Sequence, residues 1–168
     1  ARPVGQPVAG RFEGARAGQL CAEASTAYTR FPQYPKAAER IARHRPRAKL
    51  LYLLRHPVER AYSHYLHRYT KELYPEEPIR ASFEQHVASD PMCLDGSDYK
   101  LQIEQYLRFF PRESMLLLFT QDFKRDPAGL VRQICRFLEI DERFVFPPAA
   151  FEPENVGSVY KDIVVRRR

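Results

Sequence analysis

The sequence has 168 residues, of which 44% are hydrophobic and 29% are charged, and this composition is typical of one globular domain with its own core. It contains no long apolar run and no secretory-signal pattern, so we expect neither a membrane-spanning segment nor a signal peptide. The net charge of +6 suits a small, highly charged anion or a polyanion, but the cations are interleaved with Asp and Glu, which argues against nucleic acid.

The first part of the chain is predicted to be irregular, and the first regular elements follow it. Residues 1–19 contain glycines and prolines typical of turns, and we assign residues 20–168 to the domain itself. A helix is predicted over residues 35–44, since Pro35 suits a first helical turn and apolar residues follow at helical spacing. The continuous apolar run Leu50–Leu54 predicts a strand buried on both faces of a parallel sheet.

A long helix is predicted over residues 57–72. Its apolar residues follow the helical period and form one stripe that we expect to face the core, namely Val58, Ala61, Tyr62, Tyr65, Leu66 and Tyr69. Arg60, Ser63 and His67 fall within one narrow sector on the opposite side. The helix is therefore expected to present a basic, a hydroxyl and an imidazole side chain away from the core.

The remaining elements continue the alternation of strands and helices. We predict a short helix over residues 83–87, an amphipathic helix over residues 98–110 and a second buried strand over residues 115–119. Asp126 as N-cap and Pro127 in the first turn predict a last helix. Strands that alternate with helices indicate an α/β fold with a mainly parallel sheet.

The three cysteines, Cys21, Cys93 and Cys135, are widely spaced and odd in number. Such a set argues against a disulfide framework and against a structural zinc site. Cys135 falls on the apolar side of the last predicted helix, where we expect it to be packed. A reducing cytoplasm is the simplest compartment for these thiols.

Arg55 is the first polar residue after the first predicted strand. Ligands of open α/β sheets bind beyond the carboxyl ends of the strands, and Arg55 is expected at that edge. Ser63 lies about two turns into the following helix, on the side away from the core. A guanidinium and a hydroxyl beside a helix N-terminus suit a dianionic phosphate. The alternative for Arg55 is an exposed cation at the end of a strand.

Residues 49–65 carry a pattern that resembles a known family. An apolar strand is followed by Arg55-His56-Pro57, two residues, and then Arg60-Ala61-x-Ser63. This order is similar to the 3′-phosphate-binding segment of sulfotransferases that use 3′-phosphoadenosine 5′-phosphosulfate (PAPS), most of all the branch of heparan sulfate sulfotransferases and their bacterial relatives. The resemblance implies that Arg55 and Ser63 bind the 3′-phosphate. His56 departs from the Asp or Asn usual after the Arg.

Two further segments resemble the same family. Residues 22–28 resemble its Glu-Lys-Ser-x-x-Tyr segment, which implies that Glu23 is the catalytic base that takes the proton of the acceptor. Ala24 replaces the family's Lys, and an exposed loop carboxylate stays the alternative for Glu23. His67 matches a histidine on the acceptor side of the N-sulfotransferase branch, with a solvent-facing helix histidine as its alternative.

The family's phosphosulfate loop has no counterpart before Glu23. That loop is rich in Gly, Ser and Thr and carries a Lys that stabilises charge on the leaving phosphate oxygen. The resemblance therefore spans about residues 20–155, and we expect that the chain is truncated or that the loop comes from elsewhere. The basic loop that closes over the nucleotide is matched poorly by residues 155–161, where Lys161 is the candidate nucleotide contact.

Taken with the predicted elements, the resemblance implies a P-loop-NTPase-like α/β domain that moves a sulfuryl group from PAPS to a hydroxyl or amine, expected on a carbohydrate. The product would be adenosine 3′,5′-bisphosphate, and no metal is required because positive groups neutralise the charge. Three alternatives stay open: a non-catalytic remnant that binds a nucleotide or polyanion, a nucleotide kinase of related fold, and a basic nucleic-acid-binding module. The absence of a Gly-x-x-x-x-Gly-Lys-Ser/Thr run speaks against the kinase.

Overall fold

The computed structural model describes residues 14–69 and 81–147. Within these ranges the chain forms two strands, seven α-helices and two short 3-10 helices. The strands are β1 (Leu50–Leu54) and β2 (Met115–Phe119), and the 3-10 helices are Thr26–Thr29 and Arg112–Ser114. The α-helices are α1 (Ala37–His44), α2 (Pro57–Tyr69), α3 (Phe83–Ser89), α4 (Pro91–Asp95), α5 (Tyr99–Leu107), α6 (Thr120–Arg125) and α7 (Pro127–Leu138).

The two strands pair in parallel, with Leu50 opposite Met115 and Leu54 opposite Phe119. Parallel pairing requires a crossover connection, and helices α2 to α5 lie within it. Both predicted strands and the α/β fold with a parallel sheet are confirmed. The carboxyl ends of the strands therefore meet at one edge, where Arg55 follows β1.

Burial of β1 on both faces was a wrong prediction, because Leu51 is 44% exposed and Leu53 is 53% exposed. Leu50 on the other face packs against the main core cluster of Ala38, Tyr106, Phe110 and Met115. Helix α7 contacts β2. The apolar run is therefore half-buried, since helices among the described residues cover only one face of this strand.

The predicted N-cap of the last helix agrees with the structure, whereas α1 begins at Ala37, two residues after the predicted start at Pro35. The Asp126 carboxylate accepts a hydrogen bond of 2.8 Å from the Gly129 N–H and caps α7. Ser82 and Gln85 form a reciprocal capping box at the start of α3. Cys135 is buried, as predicted. The sequence patterns missed α4 and α6, which have only five and six residues and are too short for a helical period to show.

Helix α2 begins at Pro57 as predicted and reaches Tyr69, the last described residue before the gap. Its stripe of Ala61, Tyr65 and Leu66 is buried, whereas Val58 and Tyr62 are exposed, contrary to the prediction. The difference arises because α2 packs against the small helices α3 and α4, which do not cover its whole apolar face. None of the helices in the described ranges has the length and apolar character needed to cross a lipid bilayer.

The helical sector predicted that Arg60 lies with Ser63 and His67 on the open side of α2, and for Arg60 this prediction was wrong. Its Nε donates to Ser97 Oγ at 2.7 Å, and its Nη2 donates to the Cys93 carbonyl at 2.8 Å. Ser97 Oγ in turn donates to the same carbonyl at 3.0 Å. The guanidinium thus joins α2 to α4 and to the link between α4 and α5. Such a long-range contact cannot be predicted from the spacing of residues in the sequence.

A second polar anchor is Gln102, the most deeply buried polar residue of α5, at 1% exposure. Its amide nitrogen donates to the carbonyls of Phe31 at 2.8 Å and Asp95 at 3.0 Å. Its amide oxygen accepts from the Phe31 N–H at 2.9 Å. Because both ends of the amide are satisfied, Gln102 fixes the loop before α1 to α4 and α5 without a desolvation cost.

We predict that Gly96→Ala destabilises the fold by about 1–3 kcal/mol, the usual cost of overpacking a filled site. A Cβ at Gly96 would lie 2.8 Å from Arg60 Nη1, so the guanidinium would have to leave its partners. Urea unfolding followed by circular dichroism measures the change. Gly14→Ala is the matched control, because a Cβ there meets nothing within 4 Å. Equal unfolding midpoints for the two variants would contradict the anchoring role of Arg60.

Candidate functional site

Arg55 lies at the carboxyl edge of the sheet, where its backbone is fixed by Tyr99. The Tyr99 hydroxyl donates to the Arg55 carbonyl at 2.7 Å and accepts from the Arg55 N–H at 3.2 Å. Tyr99 also packs edge-on against Tyr52 of β1, with ring centroids 5.8 Å apart. The first residue of α5 therefore positions the backbone at the end of β1.

The Arg55 side chain is partly exposed and forms one ion pair, with Glu59 one turn into α2. Its Nε donates to Glu59 Oε2 at 3.0 Å. This hydrogen bond lowers the pKa of Glu59, which is fully exposed. The terminal nitrogens of Arg55 make no hydrogen bond to residues 14–69 or 81–147. A guanidinium offers five N–H donors, so most of the donors of Arg55 face solvent and can donate hydrogen bonds to an anion.

Ser63 lies six residues after Pro57, about 9 Å further along the axis of α2. The residue is half-buried, and its hydroxyl has no hydrogen-bond partner among the described residues. His67 is exposed one turn beyond Ser63, so the two share one side of the helix. The structure thus places Arg55, Ser63 and His67 on one continuous strand–helix segment.

Glu23 lies in a segment that is attached to the core through Tyr28. The Tyr28 hydroxyl donates a hydrogen bond to the Glu23 carboxylate. The Tyr28 carbonyl accepts from the Tyr106 hydroxyl at 2.7 Å. Ser25 caps the 3-10 helix between them by accepting from the Ala27 N–H at 3.2 Å. The carboxylate is therefore oriented by Tyr28, the tyrosine of the segment singled out in the sequence.

Tyr52 connects the Glu23 segment with the Arg55 edge. Its hydroxyl interacts with Thr29, the last residue of the 3-10 helix, and burial raises the pKa of Tyr52 to about 12. The same ring packs against Tyr99, which fixes Arg55. A neutral, half-buried tyrosine thus links the two predicted site segments through the sheet.

The sequence interpretation gave Tyr99 no role at the site. The available signal was its place directly after the N-cap Asp98, at the start of the helix that leads back to the amino end of β2, since such a helix must begin near the carboxyl edge of the sheet. Lys161, the remaining predicted nucleotide contact, lies outside the described residues.

Comparison with known proteins identifies the family of this chain. A family model described as a sulfotransferase domain matches residues 35–159. This range contains β1, α2 and the Arg55 edge, and it extends through both strands of the sheet.

Several curated relatives are bifunctional heparan sulfate N-deacetylase/N-sulfotransferases. Form 4 of Mus musculus is 26% identical over 145 residues, which is 79% of this chain and 16% of the relative. Form 3 of Homo sapiens is 28% identical over 129 residues, covering 70% of this chain and 14% of the relative. The chain therefore spans only about a sixth of the length of these relatives.

A solved structure, the sulfotransferase from Alicyclobacillus acidocaldarius, has a TM-score of 0.58 to this chain and is 29% identical to it. The match covers 79% of this chain and 55% of the bacterial one. The family model covers well over half of the chain, and the structural match reproduces the same fold. On these findings the chain belongs to the sulfotransferase family.

Proposed function

We propose that this protein transfers a sulfuryl group from PAPS to a hydroxyl or amine of a carbohydrate. The observation that carries the proposal is the junction of β1 and α2, where Arg55 leaves the sheet edge with its terminal nitrogens open to solvent. Open α/β sheets bind ligands at this edge, and membership of the sulfotransferase family suggests a sulfuryl donor such as PAPS as the ligand.

The 3′-phosphate of the donor would bind between Arg55 and Ser63. A guanidinium provides a planar pair of N–H groups that matches two phosphate oxygens, and the Ser63 hydroxyl adds a neutral donor. The first-turn amides of α2 lack partners within the helix, and they add positive potential at the same place. A dianionic phosphate is thus neutralised without a metal.

The Arg55–Glu59 ion pair suits this role. Glu59 bonds only to Nε in the structure, so the phosphate can occupy the terminal nitrogens while the pair keeps the side chain oriented. Both partners are largely exposed, and the ion pair itself adds little to stability.

Glu23 would act as the general base. The acceptor oxygen or nitrogen attacks sulfur, its proton passes to the Glu23 carboxylate, and the bond between sulfur and the 5′-phosphate oxygen breaks to release adenosine 3′,5′-bisphosphate. The hydrogen bond from Tyr28 supports this assignment because it orients the carboxylate. His67, one turn beyond Ser63, is proposed on the acceptor side, and Lys161 is proposed to contact the nucleotide.

The nature of the acceptor rests on the relatives. Their names describe N-sulfotransferases that act on heparan sulfate, a carbohydrate, and we transfer that acceptor class to this chain. An amine or hydroxyl of a sugar is a neutral or weakly basic nucleophile. It needs a base such as Glu23 to become reactive.

We predict that the purified protein binds adenosine 3′,5′-bisphosphate and that Arg55→Ala weakens this binding at least about tenfold, because a charge-assisted bidentate contact is lost. Isothermal titration calorimetry measures both. Arg55→Lys should fall between the two, since it keeps the charge but loses the planar fork. 5′-AMP should bind weakly, because it lacks the 3′-phosphate.

Arg43→Ala is the matched control for this titration. Arg43 forms the equivalent exposed pair with Glu39, one turn apart on α1, at 2.7 Å. Its loss should leave binding of the bisphosphate unchanged. Equal weakening by both variants would show that only general positive charge matters, and would contradict a 3′-phosphate site at Arg55.

We predict that Glu23→Gln lowers the rate of sulfuryl transfer about 10²- to 10⁴-fold, the usual contribution of a general base, while binding of the bisphosphate persists. Chromatographic detection of the bisphosphate released from PAPS, with a glucosamine-containing oligosaccharide as acceptor, measures the rate. Glu104→Gln, in an exposed helix pair with Lys100, serves as the control.

Two results would contradict the catalytic part of the proposal. Nucleotide binding without any transfer by the unsubstituted protein would favour the non-catalytic remnant. Full activity of Glu23→Gln would remove Glu23 from the role of base.

A further inference from the structure

Two histidines and one aspartate converge where three helices meet, at a place the sulfotransferase reaction does not use. His64 lies on α2, His86 lies on α3, and Asp90 lies between α3 and α4. One ligand atom from each of the three residues can be chosen so that all lie within 4.8 Å of one another. The sequence analysis gave none of them a role, since they come from three separate elements.

The two imidazoles point buried nitrogens at one oxygen. His64 Nε2 lies 3.7 Å from Asp90 Oδ2, and His86 Nε2 lies 3.6 Å from the same atom. These distances are too long for hydrogen bonds, and neither Nε2 atom has a hydrogen-bond partner in the part of the chain that the structure describes. Buried polar atoms without a partner are rare in proteins, and each calls for an explanation such as an ion.

Asp90 is oriented so that one of its oxygens is committed and the other is free to bind. Asp90 Oδ1 accepts a hydrogen bond of 3.0 Å from the Met92 N–H and so caps α4. Oδ2 is left facing both histidines. The hydrogen bond to Oδ1 orients the carboxylate, as the outer partners of metal-binding carboxylates do, and leaves Oδ2 for the ion.

The spacing fits a tetrahedral ion. Bonds of about 2.0–2.1 Å from zinc to nitrogen or oxygen place neighbouring ligand atoms about 3.3–3.4 Å apart in a tetrahedron. The separations of 3.6 and 3.7 Å between a histidine nitrogen and Asp90 Oδ2 exceed this by a few tenths of an ångström, and the three ligand atoms all lie within 4.8 Å of one another, so a bound ion would draw the side chains together. Three protein ligands leave a fourth position for water.

Burial and charge at the cluster also suit a cation that binds neutral imidazoles. The side chains of His64, His86 and Asp90 are 16%, 5% and 19% exposed, so the cluster is enclosed but reachable from solvent. The nearest cation is Arg60, whose charge acts on His64. Arg60 also opposes a further positive charge, but its guanidinium is engaged by Ser97 and Cys93, and Asp90 supplies the compensating carboxylate.

We propose that His64, His86 and Asp90 bind a divalent transition-metal ion of the kind that imidazole ligands prefer, with Zn²⁺ as the test ion. The bound ion cross-links α2 to α3 and α4 and so stabilises the helix that carries Ser63. Its role is structural and independent of sulfuryl transfer.

The test uses the purified protein without a polyhistidine tag, treated with a chelator and dialysed. Calorimetric titration with Zn²⁺ should show one ion bound per chain. At about a hundredfold excess over Kd, the ion should raise Tm by about 5–10 °C. His64→Ala and His86→Ala should each weaken binding by more than about a hundredfold, since loss of even an outer partner of a metal ligand costs about ten- to a hundredfold.

His44→Ala is the matched control, because His44 is an exposed histidine at the end of α1 and lies outside the cluster. It should bind Zn²⁺ as the unsubstituted protein does. Asp90→Asn removes the charged ligand but should keep the fold, because asparagine caps a helix as well as aspartate does. Circular dichroism should show it folded, with zinc binding weakened.

The absorption of bound Co²⁺ provides an independent readout of the ligands. Intense visible bands, lost in His86→Ala and kept in His44→Ala, indicate a four-coordinate site with imidazole ligands. The proposal is overturned if the folded protein binds no Zn²⁺, or if His64→Ala, His86→Ala and Asp90→Asn all bind it as tightly as His44→Ala.

Discussion

The attachment of helix α2 through Arg60 is the interaction on which the rest of the site depends. Arg60 lies one turn into the helix and bonds to Ser97 and the Cys93 carbonyl, on a segment more than thirty positions further along the chain. Gly96 leaves room for the guanidinium, since any side chain there would displace it. A half-buried cation with several acceptors is stable where an unpaired one would not be. This contact determines how α2 is rotated about its axis, and therefore which side chains face the sheet edge.

That rotation gives neighbouring residues of α2 different surroundings. Ser63 is half-buried, and its hydroxyl has no hydrogen-bond partner within residues 14–69 and 81–147, whereas its neighbour His64 lies near Asp90, between α3 and α4. Adjacent residues of a helix are about 100° apart, so the proposed nucleotide site and the proposed metal site use different sides of one helix. Because both depend on the same rigid element, an ion on one side would limit the motion of the hydroxyl on the other. The helix gives both sites their position, which a phosphate or metal site requires, and its first-turn amides add positive potential at the proposed phosphate site.

The strands and the Arg55 edge could be predicted from the sequence, whereas the contacts that position them could not. Continuous apolar runs such as Leu50–Leu54 carry a local signal, and a first polar residue after such a run must lie at the strand end. Arg60, Gln102 and Tyr99 act through partners dozens of residues away, and no local period encodes such a pairing. The same limit explains the error on burial of β1, since periodicity cannot tell how many neighbours cover a strand. Glu23 and His67 rest on resemblance, and Lys161 lies outside the described residues.

The central claim is that Arg55 and Ser63 together form the 3′-phosphate site of the sulfuryl donor. A crystal structure of the protein with adenosine 3′,5′-bisphosphate tests it most directly. We predict the 3′-phosphate between the two residues, with the terminal nitrogens of Arg55 and the Ser63 hydroxyl each about 2.7–3.0 Å from a phosphate oxygen. A nucleotide bound elsewhere, with Arg55 still paired only to Glu59 and the Ser63 hydroxyl without a phosphate contact, would contradict the claim.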